Sequence, residues 1–182
     1  MGLTIIAGNI VDDELLNKAD AIVNPTNPMM KMGMGVSMAI FQKAGVDELE
    51  EYTAKTFNIS YADISRANEM KETEIRLTPG FKIPCDIIFV QSPNLEHYNC
   101  ADYPVAYDKL INTYKNLLDF SISNGYKTIL LPSLGTGHYG FKHKDVARDV
   151  ITLLKEYTSD SLINVIFVLL DEETKSIYEK HI

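Results

Sequence analysis

Short apolar runs alternate with longer amphipathic stretches along the chain. Residues 3–7 (LTIIA), 20–24 (DAIVN), 74–79 (EIRLTP), 86–91 (DIIFVQ), 127–132 (KTILLP) and 164–171 (NVIFVLLD) read as strands. Residues 86–91 form a short continuous apolar run, as expected of a buried strand, and Pro79-Gly80 ends the run at 74–79. Between them the period changes. Residues 34–43 (MGVSMAIFQK) have helical composition, and GVDELEEYTAKTF continues helical after a break at Gly45. From 103 to 123, Ala106, Leu110, Ile111, Tyr114, Leu117 and Leu118 share one face at helical spacing, and Gly125 suits the position just past the helix end. Residues 143–157 place Val146, Val150, Leu153 and Leu154 inward, with His143 beginning the helix, and residues 172–181 read as a closing helix. This order predicts one α/β domain over residues 1–182, with helices flanking a buried sheet.

Ligands of such folds bind at the carboxyl ends of the strands, and the unusual residues of this chain fall there. One segment, NPTNPMMKMGMG, follows the strand at 20–24. Asn24 and Asn27 lie three residues apart among stiffening prolines, and Gly33 and Gly35 open a helix. An asparagine amide both donates to and accepts from a hydroxyl. Glycines let backbone N–H groups approach an anion, and a helix N-terminus adds partial positive charge. That combination suits a sugar beside a phosphate. The other segment, LLPSLGTGHYGF, follows the strand at 127–132. Gly135-Thr136-Gly137 can form a nest of N–H groups for a diphosphate, with Ser133 and Thr136 adding hydroxyls. Neither segment is a P-loop, since no Gly-Lys-Ser/Thr follows, and neither completes the dinucleotide fingerprint.

Composition narrows the partners. The 182 residues carry a formal net charge of −8 with no Lys/Arg cluster, which argues against nucleic acid. The start, MGLTIIAGNI, has no charged lead before a long apolar stretch, and no apolar run reaches the roughly 18 residues of a membrane span. A cytoplasmic protein is expected. Two cysteines, Cys85 and Cys100, are too few for a disulfide framework or a zinc site and are expected as buried, reduced thiols. No metal and no cofactor are expected.

The ordered set AGNI (7–10), DAIVNPTN (20–27), GMGVSMAIFQKAG (33–45) and LPSLGTGHYGF (131–141) resembles the macrodomain family, the ADP-ribose-binding module, over nearly the whole chain. The resemblance implies a three-layer α/β/α sandwich around a central mixed β-sheet, with a long cleft for ADP-ribose across the strand ends. It implies Asn9 and Ile10 near the adenine, where Asn9 replaces the aspartate of many members. It places Asn27 at the distal ribose, with Asn24 supporting the loop. Gly33, Gly35 and Val36 would line one side of the diphosphate and distal ribose. Ser133, Gly135, Thr136, Gly137, His138 and Tyr139 would line the other. No aromatic stands near the last strand to meet the adenine; Leu170 lies there, beside Asp171.

The chemistry implied is less complete than the cleft. A common hydrolase subgroup has a Gly-Gly-Gly-Val-Asp run, where this chain has Met34-Gly35-Val36-Ser37. A serine is a poor general base without a partner to take its proton. Another subgroup uses a strand-end lysine and a loop aspartate; the matching positions here are FVQSPN (89–94) and Tyr139. Ser37 and His138 are the candidate catalytic residues. A water held by the substrate diphosphate could also attack without a protein base. Three readings stay open: an enzyme hydrolysing ADP-ribosyl bonds, a non-catalytic reader of ADP-ribose or a related nucleotide, and a drifted cleft for another nucleotide or RNA; the expected partner is ADP-ribose or an ADP-ribosylated substrate. ADP-ribose binding comes first, with hydrolysis as an activity on top of it.

Overall fold

The computed structural model describes residues 2–159 and 163–182. Six strands form one sheet: β1 (Leu3–Ala7), β2 (Ala21–Pro25), β3 (Ile75–Thr78), β4 (Asp86–Val90), β5 (Thr128–Pro132) and β6 (Asn164–Leu169). Their order is β1-β6-β5-β2-β4-β3. All neighbours run parallel except β3, which pairs antiparallel with β4 at the edge. The sheet is therefore mixed, and the carboxyl ends of its five parallel strands share one rim.

Helices cover both faces. Along each parallel strand, alternate residues enter one of two cores. Ile5, Val23, Ile88, Val90, Ile129, Leu131, Val165 and Phe167 pack with residues of α4 (Tyr103–Ser123), α5 (His143–Ser159) and α6 (Glu172–Glu179). Ile22, Ile87, Phe89, Leu130 and Val168 pack instead with α1 (Asp13–Leu16), α2 (Val36–Ala44) and α3 (Val46–Thr56). This is the three-layer sandwich expected, and it explains why these strands read as continuous apolar runs. Helix α4 has proline in its first turn and is followed by Gly125 at φ +78°, a conformation that glycine adopts freely.

Three local readings need correction. The sequence pattern left residues 8–19 unassigned, but a short helix, α1, forms there because the Asp12 carboxylate accepts from Glu14 N–H at 2.8 Å. Helix α2 begins at Val36 rather than Met34; Gly35, at φ +61° and ψ −126°, still belongs to the loop. Cys100 lies exposed on a 3₁₀ turn, whereas Cys85 is buried, with its thiol pushed up to about 11 chiefly by burial. Among the described residues no helix is long and apolar enough to cross a membrane.

Candidate functional site at the strand ends

The sheet opens where the two glycine-bearing segments leave it. The β2–β5 ladder holds Ala21 opposite Ile129 and Ile22 opposite Leu130 and stops there, although β2 runs on to Pro25 and β5 to Pro132. The chain after β2 turns toward α2, and the chain after β5 turns toward α5. A crevice at the carboxyl rim between diverging strands is the usual ligand position in open α/β sheets.

The loop after β2 is folded by its own side chains. Asn27 Nδ2 donates to Lys31 O at 2.8 Å, Lys31 N–H donates to Asn27 Oδ1 at 3.2 Å, and Met30 N–H donates to Asn27 O at 3.0 Å. The Asn27 amide thus substitutes for a strand partner within a tight turn. Glu50 on α3 clamps the far side, accepting from Met32 N–H at 3.0 Å and pairing with Lys31 at 3.0 Å. Ser37 is buried, and its Oγ accepts from Gly33 N–H at 3.2 Å. Its hydroxyl meets no carboxylate or imidazole among the described residues. Val36 is half-buried, and Gly35 starts α2 with no side-chain cap over the helix N-terminus. Exposed Met34 stands between the two glycines.

Asn24 ends this strand differently. It is fully buried, and neither its Oδ1 nor its Nδ2 has a partner. At the neighbouring end of β4, Gln91 Oε1 and Ser92 Oγ are likewise buried without partners. Each such group costs roughly 1–3 kcal/mol unless water or a ligand satisfies it.

The loop after β5 is held from below by aromatic hydroxyls. Leu134 N–H donates to Tyr114 Oη at 2.7 Å. Ser133 Oγ lies 2.6 Å from Tyr178 Oη and accepts from Thr136 Oγ1 at 2.8 Å. Tyr139 Oη donates to Thr26 O at 3.1 Å and accepts from Gln91 Nε2 at 3.2 Å, so it ties this loop to the ends of β2 and β4. Burial pushes the Tyr139 phenol up, so it stays neutral. Gly135 has φ +72°, and a Cβ there would lie 3.0 Å from Leu110 and 3.1 Å from Phe141. Its glycine is required by the core beneath as much as by anything above. Around Gly137 a Cβ would meet nothing within 4 Å, so that stretch of backbone is open.

The remaining predicted residues sit along the same rim. Asn9 is exposed, and its Oδ1 accepts from Val11 N–H at 3.2 Å in the turn into α1. Ile10 is only 4% exposed and packs into the α1–α3 core, leaving its backbone rather than its side chain for a cleft. The Asp171 carboxylate caps α6 by accepting from Thr174 N–H at 2.7 Å, and that contact holds its pKa below the ordinary value. Leu170 is 85% exposed beside it. His138 is exposed and hydrogen-bonds to no described residue.

Sequence reasoning missed Gln91, Tyr114 and Tyr178 as supports of the site. In the sequence, residues 89–94 stand out only for holding no lysine. A shallow depression of about 420 Å³ on the β4 side includes Gln91, Pro28, Met70, Glu72, His97 and Lys109. Lys109 Nζ donates to Glu72 at 2.8 Å and to Tyr98 Oη at 2.9 Å. Burial opposes ionisation of Glu72, but the hydrogen bonds from Lys109 and Tyr98 outweigh it and keep its pKa below the ordinary value. This depression adjoins the crevice through Gln91 without coinciding with it. Among the described residues no group of three His, Cys, Asp or Glu side chains is placed to hold a metal ion.

A mixed sheet between two helical layers, with two glycine-bearing loops at one rim, defines a three-layer α/β protein. The Macro domain family matches residues 23–150, and the chain belongs to that family. It is 31% identical over 166 residues to histone macroH2A1.1 of Capsaspora owczarzaki, a match covering 88% of this chain and 42% of that relative's length. It is 27% identical over 164 residues to O-acetyl-ADP-ribose deacetylase of Citrobacter rodentium, covering 88% and 86%. The Oceanobacillus iheyensis macrodomain solved with ADP superposes with a TM-score of 0.82 at 26% identity, covering 98% of this chain and 88% of that one. A mutant of the same protein has been solved with ADPR.

Proposed function

We propose that this protein binds ADP-ribose along the crevice between β2 and β5. The observation that carries the reading is the early end of the β2–β5 ladder, with glycine loops leaving both strands beside it. The diphosphate lies between the uncapped start of α2 at Gly35–Val36 and the open backbone around Thr136–Gly137, where N–H groups and helix polarity favour an anion. The adenine lies toward Asn9, the Ile10 backbone, Leu170 and Asp171. The distal ribose lies toward Asn27, Gly33, His138 and Tyr139, with Asn27 acting mainly by holding its loop in shape. The solved ADP and ADPR complexes of the Oceanobacillus iheyensis relative support this reading. All 182 residues act as a single macrodomain, in the cytoplasm, on free ADP-ribose or an ADP-ribosylated partner.

Isothermal titration tests the binding directly. ADP-ribose should bind more tightly than ADP, and ADP more tightly than AMP. Equal affinity for ADP and ADP-ribose would remove the distal-ribose subsite, and no binding of any of the three would overturn the reading.

Hydrolysis of acylated ADP-ribose is a second reading, favoured by the deacetylase relative whose length this chain nearly spans. Ser37 has no proton-accepting partner among the described residues, so such an activity would depend on a water oriented by the substrate diphosphate. Incubation with O-acetyl-ADP-ribose, followed by chromatography of the products, separates an enzyme from a reader.

A further inference from the structure

A chain of hydrogen bonds runs inward from the loop after β5. Thr136 Oγ1 donates to Ser133 Oγ at 2.8 Å, Ser133 Oγ lies 2.6 Å from Tyr178 Oη, and Tyr178 Oη lies 3.0 Å from His143 Nδ1. Tyr178 is fully buried, edge-on to Phe167 and His143, so its hydroxyl has no solvent to turn to. His143 is half-buried at the start of α5.

From this geometry we propose that His143 is a positioning residue that sets, through Tyr178 and Ser133, which way the Thr136 hydroxyl points at the ligand cleft. The proposal rests on the ADP-ribose reading and concerns regulation of that same site.

Each hydroxyl has one proton to give, so the chain has a direction. Tyr114, fully buried on α4, also hydrogen-bonds Ser133. Its Oη already accepts from Leu134 N–H, so it donates to Ser133 in both states and leaves Ser133 one further acceptor site. When Nδ1 of neutral His143 accepts, Tyr178 donates to it, Ser133 donates to Tyr178, and Thr136 donates to Ser133. The Thr136 proton is then consumed inside the protein. When His143 is protonated, Nδ1–H donates to Tyr178, and Tyr178 must donate to Ser133. The Ser133 proton turns to Thr136 Oγ1, and the Thr136 proton is released toward the cleft. Acid therefore adds one outward O–H donor beside the proposed diphosphate position, together with a positive charge behind it.

Several groups face His143. Tyr178 faces it from α6, Ser133 and Thr136 lie along the relay in the preceding loop, and Lys142 and Lys144 flank it in sequence. Burial lowers the His143 pKa from its ordinary 6.5, and the Asp171 carboxylate at the start of α6 partly opposes that. Tyr178 itself is held neutral, its pKa raised chiefly by burial.

Amide and imidazole NMR spectra of the ligand-free protein, recorded between about pH 5 and 8, test the relay without assuming a ligand. The amides of Leu134, Gly135 and Thr136 should titrate with the same midpoint as the His143 ring. In Tyr178→Phe, which keeps the ring in the core, and in His143→Gln, that response should vanish. Loop amides that do not follow His143, or that follow it equally in Tyr178→Phe, would overturn the proposal. In a second arm, ADP-ribose affinity should tighten by about fivefold on acidification in the parent and by far less in Tyr178→Phe. Coupled NMR titration with no ADP-ribose binding would refute the ligand reading while leaving the relay standing. Intact binding with an equal pH response in parent and Tyr178→Phe would refute the relay's role in the site.

Discussion

The two loops that flank the crevice do the same work by opposite means. The loop after β2 is built locally: Asn27 bonds its own chain at Met30 and Lys31, and Ser37 reaches back four residues to Gly33. The loop after β5 also has local bonds, Thr136 to Ser133, Gly140 N–H to Gly137 O and Phe141 N–H to Gly135 O, but more reach it from elsewhere. It is suspended from Tyr114, Tyr178 and Gln91, which come from three other elements, and is seated on Leu110 and Phe141. A backbone that must present N–H groups to an anion cannot use them to stabilise itself, so its shape has to be enforced from outside that backbone. In one loop side chains at short sequence separation enforce it; in the other the core does.

The contrast predicts unequal sensitivity. Gly135→Val should have the largest effect. It puts a β-branched residue at φ +72° and pushes Cβ against Leu110 and Phe141, costing about 3 kcal/mol or more of stability. Urea denaturation measures it, and a loss below about 1 kcal/mol would show that the core does not dictate this loop. Asn27→Ala removes two local bonds from a partly exposed turn. It should cost about 1 kcal/mol of stability and weaken ADP-ribose about tenfold in titration. Parent-like affinity would take the β2 loop out of the cleft.

Ser37→Ala should matter less. Gly33 N–H loses its acceptor at a partly buried position, a cost of about 0.5–1 kcal/mol, with ADP-ribose affinity unchanged. A selective fall in turnover of O-acetyl-ADP-ribose, with affinity intact, would instead make Ser37 part of the chemistry. The smallest effect concerns pH. The folded protein favours neutral His143, so the stability this contributes is complete above the unfolded value near 6.5. It is lost as pH falls from there through the lowered folded value and then levels off. Denaturation of the parent and His143→Gln across that window should show a shallower slope in the variant.

Much of this was legible before any coordinates. Buried parallel strands write themselves as apolar runs, which is why the five parallel strands could be read from the sequence. The Asn-Pro and Gly-x-Gly segments stand out because few residue types tolerate such turns. Helix α1 escaped because four residues carry too little periodicity, and only the Asp12 cap reveals it. The sequence suggests Gly135 as clearance for a ligand, and the structure adds a second demand on it from the core side.

The sequence alone determined the alternation of strands and helices and the position of the glycine loops at strand ends. These follow from local properties: periodicity, backbone freedom and side-chain chemistry. Tertiary structure alone decided where the β2–β5 ladder stops, that Tyr139 meets Gln91 across 48 positions, and that Tyr178 joins Ser133 to His143. A hydroxyl buried by packing must find its partner among whatever the fold brings near it, and sequence separation carries no record of that meeting.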